Sequence, residues 1–569
     1  MFHDKDKLKI VQSELKKEIK KGKKQYKDKV EENFQTNDMK KVWEGMNLMS
    51  GRKKVNKPSV LCTSNDYANE LNDFYARFDC HDFSSEKERI VNELLNANEM
   101  YNDVIIDEFD VLKAMKSVNS TKASGPDNIS PKVIKVCADQ LCGIFSFIFN
   151  LSLSDCQIPE QWKTSCIIPV PKRPNVKVMN DYRPIALTSC IMKIFERVFI
   201  AQLQRITLPF VDPSQFAYRK NRSVDDALLY VLNSVYSHLE KTNSSIRIMF
   251  YDFSSAFNTI QPHLLAKKLM NMKVSPYTIL WIFDYLSNRP QFVKINEFLS
   301  NTVFTNTGCP QGTVLSPYLF SLYTSDSRES HELCTLTKYA DDTALTGMIF
   351  NDDHSFFIEA VNRFVEWCDL NYLELNVSKT KEMVIDFRKT KTAPDPVILK
   401  GSQVERVSSY KYLGATLDDT LSWSKNTDAI ISKANSRLYC LRKLHTFNVH
   451  SPMLQLFFSS IICSVLTFGS TVWGSNITDF DKKRLERVIK KASTLIGISQ
   501  DSLKDMTDKK VYNKLTNIFK DESHPLRQEF DNLVIARSGR LRLPKVNTER
   551  YLKSFVPNAV KIFNSKYSR

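Results

Sequence analysis

The residues best placed to do chemistry in this 569-residue chain are two adjacent carboxylates, Asp341 and Asp342, within Leu336-Thr-Lys-Tyr-Ala-Asp-Asp-Thr-Ala-Leu345. Strand-forming runs on both sides predict a β-hairpin with the Asp-Asp pair at its turn. About ninety residues upstream, the apolar run Ile246-Arg-Ile-Met-Phe-Tyr-Asp-Phe-Ser-Ser-Ala-Phe257 delivers one carboxylate, Asp252, at its C-terminal end. An acidic turn alone is a common solvated feature. Laid side by side, however, the two stretches bring three carboxylates together. Such hard oxygen ligands suit Mg²⁺, and two such ions about 3.5–4 Å apart serve nucleotidyl transfer.

The elements that must position these groups belong to a chain too long for one compact core, so several domains are expected. A formal charge of +16 and a pI near 9.1 point to a polyanionic partner, most simply nucleic acid. Residues 1–57 hold 17 Lys/Arg against 9 Asp/Glu, half of the excess in the first tenth of the chain. Such a run reads equally as a nucleic-acid arm, a nuclear-import signal or a solvated helix face. The 12 cysteines are scattered, with no C-x-x-C and no Cys/His cluster, which suggests neither a zinc site nor a disulfide framework. That usage and the lysine-rich start, with no signal-like apolar stretch, imply a reducing, intracellular setting. Ser451 to Thr478 carries no charge and would be long enough to span a membrane. Its Ser-Pro start, its Gln455 and its two glycines favour a buried helix instead.

In order along the chain, residues 5–50 read as one or two amphipathic helices, with Leu8, Leu15, Ile19, Tyr26, Val30 and Phe34 spaced by four or seven and Gly22 as a weak point. Residues 105–118 and 137–153 read as helices, and Trp162 to Lys172 as a proline-punctuated edge strand. Strands and helices alternate over 246–347. Tyr410 to Leu417 reads as a strand pair or tight turn. Nearly everything after Ser424 reads as helical, with an irregular basic tail from Asp521.

An ordered series of short motifs then decides the reading. Ala123-Ser-Gly-Pro-Asp127, Asp181-Tyr-Arg-Pro-Ile185, Gln215-Phe-Ala-Tyr-Arg-Lys-Asn-Arg-Ser223, Asp252-Phe-Ser-Ser-Ala-Phe257, Pro310-Gln-Gly312, Tyr339-Ala-Asp-Asp342 and Tyr412-Leu-Gly414 follow one another. In this order they resemble the reverse transcriptase of non-LTR (LINE-type) retrotransposons, near the jockey and chicken-repeat kind. The resemblance implies an α+β right hand: fingers at 105–240, a palm with an antiparallel sheet at 241–400, and the primer-grip turn and helical thumb at 401–475. A basic N-terminal arm (1–57) and a linker-like extension (58–104) precede it, and a mostly helical basic region (476–569) follows.

The resemblance also assigns roles. Asp252 and Asp341 would ligate two Mg²⁺ ions (Mn²⁺ as a substitute), with Asp342 and the Phe253 carbonyl assisting. Phe257 would collide with a ribose 2′-hydroxyl and so select dNTPs. Lys172 and Arg183 would hold the triphosphate, or else the template. Gln311 and Gly312 would lie under the nascent base pair, with Thr313 where the family often has Ser or Cys. Lys379, or Lys381, would meet the departing pyrophosphate. Arg219 and Arg222 would contact template phosphates or act as caps or ion pairs. Tyr412, Leu413 and Gly414 would form the primer grip or a plain structural turn.

The implied partners are template RNA, a DNA primer or target, dNTPs, and an endonuclease supplied by a longer element product, because the residues before the fingers are too few to form one. No membrane partner is implied. The expected location is nuclear or cytoplasmic, in a ribonucleoprotein. The expectation is thus an RNA-directed DNA polymerase working by target-primed synthesis. A catalytically inactive, element-derived RNA-binding protein is the alternative, and an RNA-copying RNA polymerase is disfavoured by Ala340 and Phe257.

Overall fold

A computed structural model describes residues 2–35, 41–42, 44–45, 64–79, 83–96, 103–329 and 331–567. In chain order its strands are β1 (Ser165–Pro171), β2 (Tyr182–Leu187), β3 (Ser244–Tyr251), β4 (Arg289–Ile295), β5 (Phe298–Leu299), β6 (Val303–Thr305), β7 (Cys334–Tyr339), β8 (Asp342–Phe350) and β9 (Lys381–Ile385). Five short ones follow: β10 (Ile398–Leu399), β11 (Ser402–Gln403), β12 (Glu405–Arg406), β13 (Ser409–Tyr412) and β14 (Ala415–Asp418).

The central sheet has the order β12-β9-β3-β8-β7, with β3 antiparallel to both β8 and β9. All of β3 is buried, so its period-2 alternation feeds two cores rather than one core and solvent. Ile246, Ile248 and Phe250 join one core; Met249 and Tyr251 join the other. The helix Ser355–Leu370 covers the second face with Phe357, Val361 and Phe364, and the helix Val224–His238 covers the first with Leu228, Val231 and Val235. The first core continues without a break through Leu441, Leu454, Leu485, Leu515, Phe530 and Val560. Residues of the central sheet, the helices after Ser424 and the region after 476 therefore share one apolar interior. No helix among the described residues is long and apolar enough to cross a membrane. The uncharged stretch after Ser451 is interrupted, running Ser451–Phe457, a π-helical turn at Phe458–Ile462, then Cys463–Leu466.

A second sheet has the order β2-β1-β4-β5 with β6 on β4, joining strands from the expected fingers and palm ranges, and its free edge is β2. The helix Asn65–Ala76 docks on it through Ala68, Leu71 and Tyr75, which pack with Ile167, Tyr182 and Val293, and through asparagines. Asn72 donates to the carbonyls of Gln291 (3.3 Å) and Asn301 (2.9 Å) and accepts from the Gln291 amide at 3.0 Å. The stretch read as a linker therefore contributes a packed helix. Two other readings change. Phe2–Gln35 is one helix of 34 residues that runs through Gly22, and its Leu8, Leu15, Ile19 and Tyr26 stay exposed. The tail is not irregular throughout: it ends in a helix, Phe555–Tyr567.

Candidate active site

β3 carries Asp252 to the sheet's end, and the adjoining backbone fixes it there. The Asp252 carbonyl accepts Asn376 N–H at 2.8 Å, and Ser254 N–H donates to the Glu374 carbonyl at 2.8 Å. Tyr251 pairs with Thr343 across the β3–β8 ladder, which brings the start of β8 beside Asp252. The β7–β8 hairpin closes with Tyr339 opposite Asp342. Its two-residue tip is thus Ala340-Asp341, not the Asp-Asp pair expected from the sequence, and Asp342 is the first residue of the strand. Ala340 has φ +57°, the left-handed region.

The carboxylates act on one another. The side chains of Asp341 and Asp342 both reach the surface of the cleft, yet the weakly polar protein around Asp342 raises its carboxyl to about 6, and the charges of Asp341 and Asp252 push the same way. Asp341 is raised for the same reasons, partly offset by Arg183 across the cleft. The cations carried on these strands are committed elsewhere. Arg247 is buried against Glu382 at 2.5 Å, and Lys338 against Asp212 at 2.7 Å. Three clustered, mutually repelling hard-oxygen donors fit a divalent cation. They do not yet form a coordination shell: among the described residues no group of three or more His, Cys, Asp or Glu side chains could hold an ion as placed. Lys379 lies against Asp252 Oδ2 at 3.2 Å, beside the carboxylate rather than out over a leaving group. Lys381 pairs with Glu405 at 2.9 Å.

The β1–β2 hairpin forms the opposite wall. Val170 faces Arg183 in the register, and side chains two apart share a strand face, so Lys172 and Arg183 project from one side of it. Lys172 donates to the Asn180 carbonyl at 2.6 Å. Partial burial lowers its ammonium, with the charges of Lys379 and Arg183 adding to the effect. The Pro310-Gln311-Gly312 turn rests on the free edge of β2, where Ala186 N–H donates to the Gln311 carbonyl at 2.7 Å. Gly312 has φ +117°, and a Cβ there would lie 2.9 Å from the Ala186 carbonyl oxygen, so only glycine fits without displacement. Phe257 packs on Phe320 with ring centres 4.9 Å apart and the rings tilted by 33°, and its carbonyl accepts Cys309 N–H at 2.7 Å, which ties Phe257 to the Gln311 turn.

Three residues that the sequence motifs did not assign hold this frame. Glu196, fully buried, accepts from Val314 N–H (2.5 Å), Leu315 N–H (3.2 Å) and the Tyr285 hydroxyl (3.0 Å), and so anchors the chain just after Gly312. Burial pushes its carboxyl up to about 7 against the pull of those donors. Tyr410 stacks on Phe250 at 4.3 Å beside the carboxylates. Gln215 reaches the Ala340 peptide. Gln215 opens one of the ordered motifs without a role attached to it there; pairwise tertiary geometry reveals what all three hold.

Two expected contacts are redirected. Arg222 has a side chain only 1% exposed, paired with Asp521 at 3.1 Å and donating to Ser523 Oγ at 3.1 Å. It holds the C-terminal region rather than offering itself to a phosphate. Tyr412 is buried against Phe250, so the β13–β14 turn presents Leu413 and Gly414 alone, both at positive φ. Arg219 is half-buried and donates to the Asp212 carbonyl at 3.2 Å.

Residues 170–417, which include the three carboxylates, the Gln311 turn and the Tyr412 hairpin, match the family described as reverse transcriptase (RNA-dependent DNA polymerase). The chain carries a reverse transcriptase domain. Its relatives are RNA-directed DNA polymerases of transposons and mobile elements. In Drosophila melanogaster, the probable RNA-directed DNA polymerase from transposon BS is 25% identical over 64% of this chain and 42% of that protein. The RNA-directed DNA polymerase from mobile element jockey is 26% identical over 70% of this chain and 45% of that protein. The probable RNA-directed DNA polymerase from transposon X-element is 26% identical over 68% and 43%. The chain thus spans less than half the length of each. Residues 423–464 also match the family described as alkylated DNA repair protein alkB homolog 8, N-terminal. In this chain they are the helix Ser424–Thr446 and the interrupted helix after it, packed in the same core as β3. The reverse transcriptase family uses divalent metal ions.

Proposed function

We propose that the chain extends a DNA 3′ end on an RNA template with dNTPs, and that its cofactor is a pair of Mg²⁺ ions. The observation that carries this reading is the meeting of Asp252, Asp341 and Asp342 beneath a cationic β-hairpin, inside a reverse transcriptase domain. Asp252 and Asp341, with Asp342 and the Phe253 carbonyl, are the groups that would hold the ions. The ions would supply activation of the primer hydroxyl and neutralisation of the triphosphate.

The chain's own residues do the rest. Lys172 and Arg183 hold the incoming phosphates, Arg183 with the forked donor set that suits them. The Phe257 ring occupies the space of a ribose 2′-hydroxyl. The Gln311-Gly312 backbone seats the new base pair, and Lys379, paired with Asp252 as it stands, would have to swing off that carboxylate to meet the departing pyrophosphate. Arg219 and the Leu413-Gly414 tip remain the candidates for template and primer contact. The cellular setting proposed is an intracellular ribonucleoprotein that copies its own transcript at a nick, with the nick supplied by an endonuclease outside the residues seen here.

Primer extension on poly(rA)/oligo(dT) with Mg²⁺ and dTTP, beside Asp341→Ala, tests the proposal. Extension by the wild type and a loss of at least ~10³-fold in the variant, with unchanged RNA affinity, is the expected result. If neither extends although both fold and bind RNA, the inactive RNA-binding reading replaces it.

A further inference from the structure

The peptide just before Asp341 is held in a conformation that its residue type disfavours. Ala340 sits at φ +57°, where the Cβ of an L residue is crowded, and at the first loop position of a hairpin tip, where glycine is the usual occupant. What holds it there comes from outside the hairpin. Gln215 is fully buried, and its side-chain amide meets residue 340 at both ends. Its Oε1 accepts Ala340 N–H at 3.0 Å, and its Nε2 donates to the Ala340 carbonyl at 3.4 Å. The same Oε1 accepts Ala217 N–H at 3.0 Å, which orients the amide.

The bracket is itself pinned. Lys338 N–H donates to the Ser214 carbonyl and Phe216 N–H to the Lys338 carbonyl, both at 2.9 Å, so residues 214–216 run as an added parallel strand along the free edge of β7. The Lys338 ammonium, also buried, bonds Asp212 at 2.7 Å and the carbonyls of Thr324 (2.6 Å) and Ser327 (2.7 Å). The segment carrying Gln215 is therefore fastened to the same strand whose end it controls.

We propose that Gln215 is a positioning residue for Asp341: its amide fixes the Ala340 peptide in the left-handed conformation that aims the next carboxylate into the cleft. The inference rests on reading Asp341 as a metal-binding carboxylate. It also explains the residue type. The site needs an acceptor and a donor on one uncharged planar group with no access to water. A glutamate would bury a charge against the Ala340 carbonyl, and an asparagine is one methylene short.

The test is a four-protein cycle of wild type, Gln215→Met, Ala340→Gly and the double variant, with Gln215→Ala as a second probe of position 215. Methionine keeps the volume and loses the hydrogen bonds. Glycine occupies the left-handed region without penalty, so it removes the need for the bracket. Two readouts are taken: kcat and KM for dTTP in primer extension, and Mn²⁺ affinity by electron paramagnetic resonance. Gln215→Met is expected to lower kcat and Mn²⁺ affinity each by ~10-fold, with KM for dTTP within about twofold. In the Ala340→Gly background the same substitution costs less than about threefold. Equal losses in both backgrounds, or no loss in a folded Gln215→Met protein, would overturn the inference. A wild type that binds Mn²⁺ yet extends no primer would sink the polymerase reading, and the metal titration would still decide the role of Gln215.

Discussion

Replacing Glu196 by glutamine should flatten part of the pH dependence of stability. In the folded chain this carboxyl is inaccessible, and burial raises it from an ordinary value of 4.5 to about 7. Because the folded value lies above the unfolded one, the neutral form is favoured by folding. Its contribution is fully present below pH 4.5 and is lost as pH rises through about 7. The gap between those values corresponds to about 3 kcal/mol, most of it falling between pH 5 and pH 8. Urea unfolding followed by tryptophan fluorescence at those two pH values reads the effect, since Trp281 stacks at 6.0 Å on Tyr285, a direct partner of Glu196. Wild type should lose ~2–3 kcal/mol more than Glu196→Gln on going from pH 5 to pH 8. Parallel profiles for the two proteins would refute the reasoning, because they would mean that the three donors to Glu196 compensate its ionised form in full. Since two of those donors, the Val314 and Leu315 amides, lie directly after Gly312, the variant should also raise KM for dNTP.

Phe257→Ala opens the space beside the incoming sugar, so rNTP incorporation should rise by at least ~10-fold relative to dNTP; unchanged discrimination by the folded variant would remove the gate assignment. Arg222→Ala leaves Asp521 without its charge partner and should destabilise the C-terminal region by about 3 kcal/mol, with RNA affinity and its salt slope unaltered. Thermal unfolding and filter binding separate those outcomes. RNA affinity should fall steeply and linearly in log–log terms as salt rises, because counterion release dominates binding by a chain of formal charge +16. A flat response would discredit the basic surface as the RNA-binding determinant.

Several elements could be read directly. The period-2 runs flanking Asp341 and Asp342 gave the β7–β8 hairpin, and the apolar run 246–251 gave the strand that carries Asp252. Residues 410–417, read as a strand pair or tight turn, form the β13–β14 hairpin. These succeed because hairpins, strands and turns obey local steric rules that involve only neighbouring residues. The misplacements are equally instructive. Exposed apolar residues on Phe2–Gln35 show that helical spacing predicts a helix without guaranteeing a core for it to face. The linker reading of residues 64–79 misses a short apolar stripe, Ala68, Leu71 and Tyr75, three and four residues apart, because in a twelve-residue helix so few positions stand out among the flanking asparagines and charges.

The sequence by itself determined the chemistry on offer: three carboxylates, a cationic hairpin, an aromatic five residues after Asp252, and a surplus of positive charge. Each follows from residue type and short-range order. The tertiary structure alone decided which of those groups are available. It spent Arg222 on Asp521 and buried Tyr412, although both sit in motifs that suggested contact with nucleic acid. It also enlisted Gln215 and Glu196, whose partners lie 125 and 118 residues away. The reason is physical. A buried polar side chain is fixed by whichever donors and acceptors the fold leaves unpaired around it, and that inventory exists only after distant segments have packed.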